Sequence, residues 1–157
     1  MSDRARGFTL IELVVTVAIV GLLATVALPL AQVTVQRHKE QELRRALREI
    51  RQAIDAYKKA GDEGHIIRRV DQSGYPPRLT VLVDGVEDAK SLDRRKIYFL
   101  RRLPRDPFAD TTADPARSWG KRSYASPPDA PAEGADVYDV YTLAPGKGLD
   151  GTLYRSW

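Results

Sequence analysis

A carboxylate, Glu12, sits just inside the leading edge of a long apolar run, and no further ionisable residue follows until Arg37. In lipid or in an apolar bundle such a group is costly unless it meets a positive partner. The chemistry this position invites is therefore ion pairing rather than catalysis. Other reactive groups are thinly spread. There is no cysteine, which excludes a disulfide framework, a zinc knuckle and a thiol nucleophile. His38 and His65 stand far apart without metal-ligand spacing and read as surface side chains. No nucleophile–base pair is spaced for catalysis, and acid pairs such as Glu87-Asp88 read as loop solvation. Enzymatic activity is not expected.

The element that must position Glu12 is the run itself. Leu13–Leu30 reads LVVTVAIVGLLATVALPL, apolar apart from two threonines, a glycine and a proline. As a helix, the roughly 24 uncharged positions rise about 36 Å, enough to cross a hydrocarbon core of about 30 Å. A soluble buried helix of that length carries a polar stripe, and this one has none. A conventional secretory signal would use Arg4 and Arg6 as its basic region. The apolar stretch is too long for that, and no small-residue cleavage site follows. A plain signal anchor fits the length but leaves Glu12 without a purpose. Pro29 cannot donate the bond that would close on the Thr25 carbonyl, which predicts a kink or local melting over Thr25–Pro29. Gly21 and Thr25 form a small-x3-small pair permitting close helix approach.

Gly7-Phe8-Thr9-Leu10-Ile11-Glu12 and the apolar run behind it resemble the class III signal of type IV pilins and pseudopilins. The resemblance implies a leader, residues 1–7, cut on the cytoplasmic side between Gly7 and Phe8 by a dedicated prepilin peptidase. Phe8 would then be the N-methylated first residue, and residues 8–36 the transmembrane and polymerisation helix. Glu12 and Pro29 fall at the family's glutamate and kink positions. Glycine before the cut leaves the backbone open to a peptidase. The freed Phe8 amine of one subunit can neutralise Glu12 of its neighbour, so that a misregistered subunit leaves a charge unpaired in apolar surroundings. Positive charge flanks the span on both sides, so orientation rests on the resemblance. It places the leader in the cytoplasm and a single-pass anchor in a bacterial inner membrane, with residues 37–157 periplasmic.

Beyond Arg37 the pattern becomes amphipathic. Leu43, Leu47, Ile50, Ile54 and Tyr57 recur at helical spacing, with Ala46 and Ala53 on the same stripe and arginine and glutamate on the other face. Gly61 and Gly64 mark the end, so a helix over residues 37–60 continues the membrane span into one helix of about fifty residues. Every proline except Pro29 lies after Gly74, which predicts loops and short strands over 75–157. Leu79–Val83 reads as a short strand or helical turn, and Tyr98–Leu103 as a further apolar segment. Asp136–Leu143 is the strongest strand, with Ser118–Ala125 and Thr152–Trp157 as partners. The fold class is α+β: a long N-terminal helix, hydrophobic in its first half, packed on a small C-terminal antiparallel sheet. Net charge is +4, but acids interleave with the arginine clusters, so a nucleic-acid face is not expected.

The C-terminal half narrows the resemblance. GYPP, YFLRRLPRDPF, YASP and YDVYTLAPGKGLDG are similar to stretches of the major pseudopilin family of type II secretion systems, within the wider pilin-like fold. In Arg105-Asp106-Pro107, Asp106 is suited to bonding the amides of the turn while the prolines fix its angles. The resemblance implies a non-enzymatic subunit of a secretion pseudopilus. Its partners would be other copies of itself, the prepilin peptidase, an inner-membrane assembly platform and minor pseudopilins. The alternative is a type IV pilus pilin, serving adhesion, motility or DNA uptake; the missing cysteines and the YDVYTL strand favour the pseudopilin. The family often binds calcium in its C-terminal loop. Here that loop holds one acid, Asp150, and Asp136 and Asp139 contribute only if the fold brings them near. The competing reading is a glycine-rich turn in which Asp150 bonds its own backbone.

Overall fold

The computed structural model describes residues 9–157, apart from the side chains at 26 and 28. Helix α1 spans Leu10–Asp62, 53 residues without interruption, and passes through Pro29 as helix. The local melting predicted at Thr25–Pro29 does not occur. The threonines of the apolar half bond back into their own helix: Thr16 to the Leu13 carbonyl (2.9 Å), Thr25 to Leu22 (2.7 Å) and Thr34 to Leu30 (3.0 Å). Such internal satisfaction is what an apolar surround demands of a hydroxyl.

The chain divides into two compact units after His38. In the first, α1 exposes its apolar residues on all sides: Leu10, Ile11, Val17, Val20, Leu22 and Leu23 are each more than half exposed. By length and composition this stretch is able to cross a membrane, and none of its most apolar window is buried.

In the second unit, the stripe read from the sequence forms the core. Leu43, Leu47, Ile50 and Ile54 are fully buried, with Ala46, Ala53 and Tyr57 beside them. They pack with Leu79, Leu82, Leu100, Trp119, Val137, Val140 and Tyr154. Gly64, at φ +79°, ends the helix in a left-handed turn. The Gly64 amide donates to the Gly61 carbonyl (3.1 Å) and the His65 amide to Ala60 (2.9 Å), the paired bonds of a Schellman cap.

Beyond the helix the architecture is small ladders held by loops. A four-residue helix, α2 (Val81–Asp84), precedes β1 (Val86–Glu87), which pairs antiparallel with β2 (Lys96–Ile97). After a 3-10 turn at Pro115–Arg117, β3 (Trp119–Arg122) pairs antiparallel with β4 (Asp139–Thr142). Among the described residues there are thus two two-stranded sheets, not one sheet. Tyr98–Leu103 extends no strand, because the amides of Phe99 and Leu100 both donate to the Leu82 carbonyl and turn the chain into the core. Thr152–Trp157 is no sheet partner either. Apart from one bridge between Lys147 and Leu153, it curls into a 3-10 turn, Tyr154–Ser156. In this turn the Trp157 ring folds back edge-on to Tyr154 at 5.0 Å.

Side chains lock these loops. Asp106, buried, accepts from the Phe108 amide (2.8 Å) and from the Thr142 hydroxyl, so the proline turn at 104–108 is tied to β4. The Trp119 indole N–H donates to the Pro104 carbonyl at 2.9 Å. Asp136 accepts from Ser123 Oγ (2.9 Å), from the Tyr124 amide (2.8 Å) and from the Ser73 hydroxyl. The Ser123 amide donates to the Ala132 carbonyl (2.9 Å), closing the excursion from 123 to 136 at its base. Gly120 lies opposite Tyr141 across the ladder, where a Cβ would come within 2.4 Å of the ring.

Candidate functional site

Of the residues singled out for processing and assembly, Gly7 and Phe8 lie outside the described residues. Glu12 lies in the first turn of α1. Thr9 begins that turn: its hydroxyl accepts the Glu12 amide at 3.3 Å and its carbonyl accepts the Leu13 amide at 3.2 Å. Thr-x-x-Glu is the spacing of a helix capping box, a signal already present in the sequence. Glu12 therefore has a local benefit as well, a carboxylate beside the positive end of the helix dipole. Pro29 is exposed and helical. Nothing in the described residues lies within 4 Å of a Cβ placed at Gly21.

The three aspartates considered for calcium go three separate ways. Asp136 is taken by the serine and amide donors described above. Asp139 accepts from Arg51 Nε at 2.7 Å and from the Val140 amide at 2.8 Å, with Arg122 at 3.7 Å from its other oxygen. Asp150 accepts from the Thr152 amide (3.0 Å) and hydroxyl (2.6 Å) on one oxygen, and from Arg44 (2.6 Å) on the other. Among the described residues no group of three His, Asp or Glu is placed to hold a metal ion. A calcium site needs six to eight oxygens around one point, and these carboxylates are instead spent on N–H and O–H donors. The residues do not fit the ion.

What α1 does present to the C-terminal loop is a row of polar side chains beside its apolar stripe. Glu40, buried, accepts on one oxygen from the Leu149 amide and from the Tyr154 hydroxyl, both at 2.9 Å. Arg44 reaches Asp150 and lies over the Trp157 ring at 4.1 Å. Arg51 reaches Asp139, the Val140 carbonyl (3.1 Å) and the Trp157 carbonyl (2.7 Å). Part of the arginine–glutamate face is thus engaged by the C-terminal loop and β4. Residues 40, 44, 47 and 51 share a helix face by spacing alone, so the flank was readable. Its partners, more than a hundred positions away for Arg44 and Asp150, were not.

Electrostatics favour this arrangement. The Thr152 hydroxyl and amide, and then Arg44, hold the Asp150 carboxyl below the usual carboxylate range. A carboxyl depressed in the folded state contributes stability above its unfolded value, and that contribution is lost as pH falls through the lower folded value. The loop contacts are expected to be unchanged from neutral pH down to about pH 4 and to weaken below it. Near-UV circular dichroism of the Trp157 environment follows this, with Trp157→Phe identifying the signal.

Residues 2–28 match a family model described as the prokaryotic N-terminal methylation motif. The chain is 29% identical over 152 residues to type II secretion system core protein G of Vibrio cholerae, covering 94% of this chain and 83% of that one. It is 29% identical over 110 residues to the protein of the same name from Klebsiella pneumoniae, covering 68% and 71%. Similarity to the type IV major fimbrial protein FimA of Dichelobacter nodosus is 38% over 64 residues, 41% of each chain. No solved structure matches.

Proposed function

We propose that this chain, a homologue of type II secretion core protein G that carries the N-terminal methylation motif, is the structural subunit of a secretion pseudopilus. The observation that carries the reading is the pairing of a fully exposed apolar helix with a self-contained polar domain on the same chain. Leu10, Leu22 and Leu23 need an apolar surround, first lipid and then the helices of neighbouring copies. The likeness to core protein G runs nearly the whole chain, whereas the fimbrial likeness covers 64 residues, which sets the pseudopilus ahead of a pilus.

In this reading a prepilin peptidase cuts between Gly7 and Phe8 and methylates the new amine. The subunit waits as a single-pass protein of the inner membrane with residues 37–157 in the periplasm. An assembly platform then lifts it into a polymer in which the Phe8 amine of one copy neutralises Glu12 of the next. Growth of that polymer, with minor pseudopilins as further partners, drives protein export.

Intact mass and N-terminal sequencing of the protein extracted from membranes test the first step. The expected product begins at methylated Phe8, and only the full-length chain accumulates when the peptidase is deleted. A start at Met1 in peptidase-positive cells, or a cut beyond Thr25, overturns the reading.

A further inference from the structure

We propose that the guanidinium groups of Arg44 and Arg51 take the place of a bound divalent cation at the C-terminal loop, so that closing residues 147–157 onto α1 requires no metal. A cation that orders a loop gathers carboxylate and carbonyl oxygens from separate segments around one positive centre. Arg51 does this with a planar fork. It collects the Asp139 carboxylate and the Val140 carbonyl from β4 and the Trp157 carbonyl from the loop. Two segments of the chain are thereby bound to a third by one fixed charge.

Arg44 supplies the second centre. It takes the free oxygen of Asp150 at 2.6 Å, and its guanidinium covers the Trp157 ring. Arginine suits both tasks, because it offers several donors in one plane and stacks on an aromatic face without losing its charge. Glu40 completes the row from the same helix, holding Leu149 and Tyr154 at its buried oxygen. Residues 40, 44 and 51 thus grip the loop at 149, 150, 154 and 157. The loop's own bonds lie between those points: Gly148 amide to Thr152 carbonyl (2.8 Å) and Trp157 indole to Thr152 hydroxyl (2.6 Å). A calcium ion seeking Asp150 or Asp139 would have to displace an arginine already in contact and then sit beside its positive charge. Coulomb repulsion opposes that at both carboxylates. The inference concerns the domain alone and stands or falls separately from the assembly reading.

The test is cleavage after Lys147 by endoproteinase Lys-C, on the full chain in detergent micelles, with calcium chloride or with a calcium chelator. Lys147 is bridged to Leu153, so cleavage there reports loop opening. The expected result is the same rate in both conditions for the unmodified chain. Arg51→Gln, which loses three bonds, is expected to be cut about tenfold faster, and Arg44→Gln about threefold faster, again regardless of calcium. Slower cleavage of the unmodified chain in calcium overturns the proposal. So does an unchanged rate in both variants. The calcium comparison uses the unmodified chain and keeps its force if a variant fails to fold.

Discussion

Replacing Glu12 with valine is expected to leave leader removal and membrane insertion intact while removing the chain from filaments. The side chain lies in the first turn of α1 among exposed leucines and valines. In a bundle of such helices it has no water to solvate it, and neither has the amine it would pair with. Removing one member of a buried charge pair costs about 3–5 kcal/mol, because the other stays buried and unpaired. At each subunit interface that amounts to at least a hundredfold, and a polymer repeats the loss at every step. The local cost is small: the carboxylate's interaction with the helix dipole is worth about 0.3–1 kcal/mol, and the Thr9 hydroxyl bond to the backbone survives. Far-UV circular dichroism should therefore match the unmodified chain while sheared-filament yield collapses. If Glu12→Val assembles normally, the carboxylate is only a helix-terminal acid and the pairing is wrong.

The second large effect is confined to the domain. Ile50→Ala removes a fully buried side chain from the middle of the stripe. It should cost about 2–5 kcal/mol, the transfer of the lost methyl groups plus the cavity they leave. Against a typical total of about 5–15 kcal/mol, this lowers the midpoint of chemical unfolding in detergent micelles markedly. Val17→Ala, on the same helix but 63% exposed, should leave that midpoint in place. Equal effects from the two substitutions would contradict the division of α1 into an exposed half and a core-forming half.

Much of this could be read from the residues because the determinants are local. The Leu43–Tyr57 stripe has the helical period, Gly64 supplies the left-handed turn, and Asp106 between prolines makes a turn with few alternatives. What escaped depends on partners remote in the chain. Arg51 looks like any exposed arginine until β4 and Trp157 arrive beside it. Likewise β1 and β2 are two residues each, set by the Leu82 carbonyl drawing in Phe99 and Leu100 rather than by an alternating pattern. The 152–157 segment has strand-like composition, yet its tryptophan folds back on Tyr154 and under Arg44, partners its local sequence does not announce. The continuity of α1 through Pro29 has a related cause. Proline forfeits one backbone bond, whereas the neighbouring turns keep theirs, so the helix passes the site.

The knot of hydrogen bonds at Asp136, Ser123 and Ala132 sets how much change the fold tolerates nearby. The two ends of the 123–136 excursion are fastened to each other, and its tip at 127–130 contributes nothing to the buried core. Pro127, Pro128, Asp129 and Ala130 are all exposed. Doubling the length of such a closed loop costs only about 0.6 kcal/mol in closure entropy. An insertion between Pro127 and Ala130 is therefore expected to leave the unfolding free energy of the domain within about 1 kcal/mol of that of the unmodified chain.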